Sequence, residues 1–292
     1  MRGDLRLTLM PLPRSIYSAR LNEFGEFAFG DRAAFQHCGH WRDFFRRRIG
    51  PAFNGRIIVE IGCSDAAYLS HIAAKHPACG FVGVDWKCKP LYDGAQLVAE
   101  RGLANVALLR ARGQDVARIF AEREIAEVWV FHPDPCDRDV ELKNRLIAEP
   151  FLRDVHKILH AGTSILSLKT DHPGYYQWVL ALFGLPEPPA FQAARQASLA
   201  NPLTRNPELP AAAPRIRARD FMRTQDLPNP SDSIRQQFAV TANSADYWHD
   251  AAALAHTAGR HFSGEKTMFE SRFIKKRMPI YYFEMQKREA EG

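Results

Sequence analysis

Between residues 56 and 183, short apolar runs alternate with stretches of helical periodicity, and this alternation constrains the fold more than any other feature of the chain. RIIVEI at 56–61, GFVGVD at 80–85, VALLR at 106–110, EVWVFH at 127–132 and TSILSLKT at 163–170 have strand length. Helical patterns lie at 68–75, 91–101, 150–160 and 175–183. The runs are apolar at consecutive positions, so both faces of each strand must be covered. That is the condition of a parallel sheet with helices on each side. QFAVT at 237–241 and PIYYFEM at 279–285 add two strands, with a helix near 246–258 between them. The prediction is a Rossmann-like α/β domain with a mostly parallel, seven-stranded sheet.

Residues 1–55 read as a basic N-terminal extension, in which HWRDFFRRR at 40–48 forms an amphipathic helix closed by Gly50-Pro51. The main domain runs over 56–292. It is interrupted by a Pro-rich insertion at about 185–234, since nine of the 19 prolines fall between 185 and 230. The insertion is expected to be a long loop of little regularity. Its Arg215, Arg217, Arg219 and Arg223 are either a solvated cluster or a contact for an RNA backbone. The net charge of +6 permits a polyanionic partner without demanding one. Five cysteines with no C-x-x-C pair fit free thiols in a reducing compartment, and the cytoplasm is the expected location. No apolar run approaches the ~18 residues of a membrane span. His37, Cys38 and His40 lie close together without an apparent fourth ligand, so no metal is expected. A G-x-S-x-G elbow and a phosphate-binding P-loop are absent.

The first strand ends in Glu60-Ile61-Gly62 and the second in Asp85. A small-residue turn followed about 20 residues later by an acid is the arrangement of nucleotide-type cofactor sites: the turn lets the backbone approach the ligand, and the acid accepts from ribose hydroxyls. The turn Gly62-Cys63-Ser64-Asp65-Ala66 has one glycine, and Glu60 stands just before it. That favours S-adenosylmethionine over a dinucleotide, with another Rossmann-like enzyme or a non-catalytic domain as alternatives. The fourth strand runs into His132-Pro133-Asp134-Pro135, where two prolines hold Asp134 at the ligand-binding edge or simply build a turn. The fifth ends at Thr170-Asp171, and Asp171 is either a helix cap or a second acid facing the substrate.

In this order the motifs resemble those of the tRNA (guanine-N7)-methyltransferase family of the TrmB type. They are Val59-Glu60-Ile61-Gly62, Pro133-Asp134-Pro135, Thr170-Asp171, Thr267-Met268-Phe269-Glu270-Ser271-Arg272-Phe273 and Pro279-Ile280-Tyr281. The resemblance implies a class I S-adenosylmethionine-dependent methyltransferase acting on guanine N7 in tRNA. Glu60, Gly62, Asp85, Asp115 and Asp134 would hold the cofactor, and Asp134 would also be catalytic. Asp171, Thr267, Glu270, Lys143 and Arg145 would bind the substrate. Alternatives are a member that has lost catalysis and binds RNA or protein, and a methyltransferase of changed substrate. Glu270 also admits a surface salt bridge to Arg272 or Lys266. The chain departs from the family at Ser64 and Ala66, where further glycines are usual. It departs again after Pro135, where Cys136-Asp137-Arg138-Asp139 replaces a Trp and a dense basic run.

Overall fold

The computed structural model describes residues 15–200 and 216–288. The consecutive apolar runs become fully buried strands: β2 (Ile57–Ile61), β3 (Gly80–Asp85), β4 (Val106–Arg110), β5 (Glu127–Phe131) and β6 (Ile165–Thr170). With β1 (Ala28–Gly30), β7 (Phe238–Ser244) and β8 (Tyr281–Lys287) they form one sheet in the order β1-β4-β3-β2-β5-β6-β8-β7. Only β8 runs against the rest, pairing antiparallel with both β6 and β7. The helices are α1 (Ile16–Arg20), α2 (Trp41–Ile49), α3 (Ala67–Lys75), α4 (Cys88–Glu100), α5 (Val116–Ile119), α6 (Glu149–Ile158), α7 (Pro173–Leu182), α8 (Pro189–Ala200), α9 (Asp232–Gln237), α10 (Ala251–His256) and α11 (Met268–Lys275).

The strand order reverses between β2 and β5. Chains leaving these neighbours turn to opposite sides, so a crevice opens at their carboxyl ends, where ligands of this architecture bind. The in-register pairing of Glu60 with Trp129 puts the ends of β2 and β5 side by side at that crevice.

The sheet has one strand more than the sequence predicts, because residues 28–30 pair parallel with β4 at its edge. Part of the basic N-terminal segment therefore belongs to the domain. Its helix α2 buries Trp41, Phe44 and Phe45. Phe45 presses on the start of β3 so closely that a Cβ at Gly80 would lie 2.4 Å from its ring. Arg48 donates to the carbonyls of Glu26 and Ala104, tying α2 to the sheet edge. The His37 ring packs against Phe29, Trp41 and Phe44.

The Pro-rich segment also holds more order than its composition predicts. Helix α8 buries Phe191 against Tyr176 and Tyr281, and Met222 N donates to Gln177 Oε1 on α7. Arg215 lies outside the described residues. Among the described residues no helix is long and apolar enough to cross a membrane.

Candidate active site

The turn after β2 is built from left-handed backbone. Gly62 has φ +85°, Ser64 +52° and Ala66 +50°. A side chain in this region costs roughly 1–2 kcal/mol relative to right-handed backbone, so Ser64 and Ala66 store strain that glycines would avoid. Neighbours impose the shape. Gly62 N donates to Val84 O at 2.7 Å. Ser64 N donates to Asp85 Oδ2 at 2.9 Å, and Lys87 N to Asp85 Oδ1 at 2.8 Å. Gly94 of α4 lies so near that a Cβ there would be 2.6 Å from Asp65 O. Asp85 therefore clamps two loops while each of its oxygens keeps a lone pair for a hydroxyl. Burial lifts its carboxyl above the usual range, against the pull of those two amides.

Glu60 lies beneath the turn, 5% exposed, and its Oε2 has no hydrogen-bond partner. Burial, then the nearby carboxylates of Asp65 and Asp85, push its carboxyl up to about 8, with the Lys169 ammonium opposing. An unpaired buried carboxylate oxygen is costly unless a donor or cation completes it.

Across the crevice β5 ends in His132, with φ +55°. His132 N donates to Lys169 O at 2.7 Å, and its Nδ1 lies 3.2 Å from Asp171 Oδ1. Its Nε2 is buried without a partner. Asp134 follows between its prolines and projects into solvent, its side chain 75% exposed and 3.9 Å from Lys87 Nζ. Lys87 thus connects Asp134 to the loop that Asp85 holds. The cap of α7 is His172, whose Nδ1 accepts from Tyr175 N. Asp171 is not that cap, and its carboxylate faces His132. Trp86, Met268 and Phe269 are exposed large apolar side chains, and the Phe269 and Phe273 rings flank His132.

Thr267 and Glu270 form a capping box that starts α11: Glu270 N donates to Thr267 Oγ1, and Thr267 N to Glu270 Oε2. The surface salt bridge weighed for Glu270 does not form. The side chain is fully buried, 3.0 Å from Lys169 Nζ and bonded to Trp248 Nε1. Lys169 is also fully buried, inside a ring of Phe131, Tyr247, Trp248 and Phe262. Burial lowers its affinity for a proton while Glu270 opposes. Burial alone would raise Glu270, but Lys169 and His132 more than offset it and hold the carboxyl low. A lysine in an otherwise apolar strand was the one sequence signal for this pair, since such a residue is almost never fully buried unpaired.

Other expected residues are scattered. Arg145 is 2% exposed and donates to the carbonyls of Pro135 and Gly174, under the rings of Tyr175 and Trp178. Its guanidinium braces the Pro133–Pro135 loop from behind instead of standing on the surface as a phosphate contact would. Lys143 is exposed on a short 3₁₀ turn, Asp139–Asn144. Asp115 lies just before α5, 3.5 Å from Arg118.

A family model described as "Putative methyltransferase" matches residues 54–208. A tRNA (guanine-N(7)-)-methyltransferase of Oenococcus oeni is 30% identical over 165 residues, which are 56% of this chain and 72% of that protein. The chain belongs to the tRNA (guanine-N7)-methyltransferase family. Proteins of the same description from Porphyromonas gingivalis and Christiangramia forsetii are 36% and 32% identical, over 52% and 51% of this chain. The matches cover 59% and 63% of those proteins, so the chain spans about three fifths of their length. Within this family frame the Ser64 and Ala66 substitutions keep the left-handed turn, at the cost of strain.

Proposed function

We propose that the protein is an S-adenosylmethionine-dependent methyltransferase that methylates N7 of a guanine in tRNA. The observation that carries this reading is the orphaned Glu60 oxygen beneath a left-handed turn, with Asp85 beside it at the switch point of the sheet. These residues fit the cofactor. Glu60 offers a buried carboxyl whose ionised form would face its cationic methionine end, Gly62 leaves the backbone uncovered, and Asp85 has acceptor capacity for ribose hydroxyls. When bound, S-adenosylmethionine supplies a methyl group already activated by a sulfonium.

Guanine N7 carries an in-plane lone pair and needs no base to deprotonate it. The protein's task is then alignment, and well-oriented partners can gain ~7–11 kcal/mol over free encounter. Asp134 is exposed at the crevice mouth, where its carboxylate can accept from guanine N1 and N2 and face the positive charge that grows on the purine. Asp171, held by His132, offers a second acceptor at the end of the neighbouring strand. Phe269 and Met268 place apolar surface where an unstacked base can rest. Lys143 and the arginines at 217, 219 and 223 are exposed cations suited to phosphates. The five free cysteines support a reducing, cytoplasmic setting.

The test is methyl transfer to bulk tRNA followed by nucleoside mass spectrometry. The expected product is 7-methylguanosine. A different methylated nucleoside would overturn the substrate, and absence of any product from protein that binds the cofactor would overturn the activity.

A further inference from the structure

The amino-terminal edge of the sheet, opposite the crevice, carries a second cluster of chemically capable side chains. Cys79 immediately precedes β3, Glu127 opens β5, Asn54 and Arg56 precede β2, and His261 comes from the segment between α10 and α11. His261 Nδ1 lies 2.8 Å from Glu127 Oε1, and its Nε2 lies 3.7 Å from Cys79 Sγ. Asn54 Nδ2 donates to the same sulfur at 3.2 Å. Glu127 also accepts from Arg56 and from Trp129 Nε1. His76 completes the surroundings, its ring centroid 4.7 Å from that of His261.

Two N–H donors therefore converge on one sulfur, and a buried carboxylate fixes the imidazole that supplies one of them. A thiolate accepts such bonds far better than a thiol. Burial would raise the Cys79 thiol, but His261, Asn54 and Arg56 bring it below the ordinary value. His261 is pushed up to about 9 by its bonds to Cys79 and Glu127. Cys38 and Cys136 are more accessible, yet burial with neighbouring acids raises both. Exposure and thiolate character thus fall on different cysteines. Cys79 itself is only 4% exposed, but Asn54, which donates to its sulfur, also lines a polar cleft with Arg42, Arg46, Arg56 and His160.

We infer that Cys79 is a modification site for hydroperoxides, a thiolate set against the His261 imidazolium and independent of the crevice. The thiolate sulfur attacks one peroxide oxygen, forming the S–O bond as the O–O bond breaks. Sulfur is oxidised by two electrons and the peroxide reduced by two. The departing hydroxide takes a proton from His261 Nε2, leaving a sulfenic acid, water and neutral imidazole.

The experiment treats the reduced full chain with hydrogen peroxide at several pH values and follows all five cysteine-containing peptides by mass spectrometry. The expected result is oxidation of Cys79 at least about tenfold faster than Cys38 or Cys136, with a rate that rises less steeply with pH between about 6.5 and 8 than theirs. His261→Gln should slow it about tenfold and restore the steep pH dependence of an ordinary thiol. The wild-type profile needs no variant to fold. Oxidation of Cys79 no faster than the other two, or a wild-type rate rising about tenfold per pH unit, would overturn the inference.

Discussion

Asp134 and Glu60 are both carboxylates at one crevice, yet their surroundings give them opposite properties. Asp134 stands in solvent with Lys87 as a distant partner, so its replacement should cost the fold little. Asp134→Asn keeps size and hydrogen-bonding shape while removing the charge proposed to face the purine. Turnover should fall roughly 10²–10³-fold, with the melting temperature unchanged and cofactor affinity moved less than turnover. Methylation rate, calorimetric binding and thermal melting on one preparation check this. Unchanged turnover would remove Asp134 from the catalytic machinery.

Glu60 behaves differently because it is buried and its carboxyl is raised from 4.5 to about 8. Between those values the unfolded chain has lost the proton that the folded chain keeps. The stability this group contributes is therefore complete below the unfolded value and is lost as pH rises through about 8. Glu60→Gln removes the dependence, so the melting temperature of the variant minus that of wild type should widen from about pH 5 to about pH 8. A cationic ligand prefers the ionised form, so wild-type affinity for S-adenosylmethionine should rise with pH across the same window while the variant's stays flat. Titration calorimetry at three pH values reads this directly.

At the scale of elements, α11 and β6 are locked by the Lys169–Glu270 pair. Both side chains are fully buried, and breaking such a pair from one side leaves a charge without compensation. Glu270→Gln should cost about 3–5 kcal/mol, read from denaturant midpoints. Lys169→Met in the same chain should recover much of that loss, because the uncompensated ammonium is then gone. A double variant as unstable as the single would show that an orphaned Lys169 ammonium is not the source of the loss. The pair also explains how a tail helix reaches the crevice: Phe269 and Phe273 on α11 flank His132, whose backbone is bonded to Lys169.

At the scale of the whole molecule, the question is which cations an RNA could meet. Arg217, Arg219 and Arg223 are exposed, although Arg219 lies 3.9 Å from Asp220 and Arg223 lies 2.5 Å from Asp226. Each phosphate contact should add to the steepness of log affinity against log salt, by about 0.7 where it falls on a single strand. Replacing these three arginines by alanine should flatten that slope and raise KM with kcat held. Arg145→Ala should do the reverse, lowering the melting temperature and leaving the slope alone, since its guanidinium supports the Pro133–Pro135 loop. A binding curve indifferent to salt in the wild type would argue against an RNA backbone as the ligand.

The amino-acid sequence by itself determined the sheet and the place of its crevice. Five runs apolar at consecutive positions can be buried only as central parallel strands, and the acids and turn residues at their ends then share one edge. The positions of Glu60, Asp85 and Asp134 were legible for that reason, because strand ends are local features. What tertiary structure decided depends on distance in the chain. Residues 28–30 read as part of a tail until β4 offers them an open edge to pair with. Arg145 reads as an exposed basic residue near Lys143 until the loop folds over it. Glu270 finds Lys169 across about a hundred residues of sequence, and Cys79 finds His261 across nearly twice that. No local pattern encodes these meetings, since each forms only when packing brings two elements together and excludes the water that would otherwise satisfy both groups.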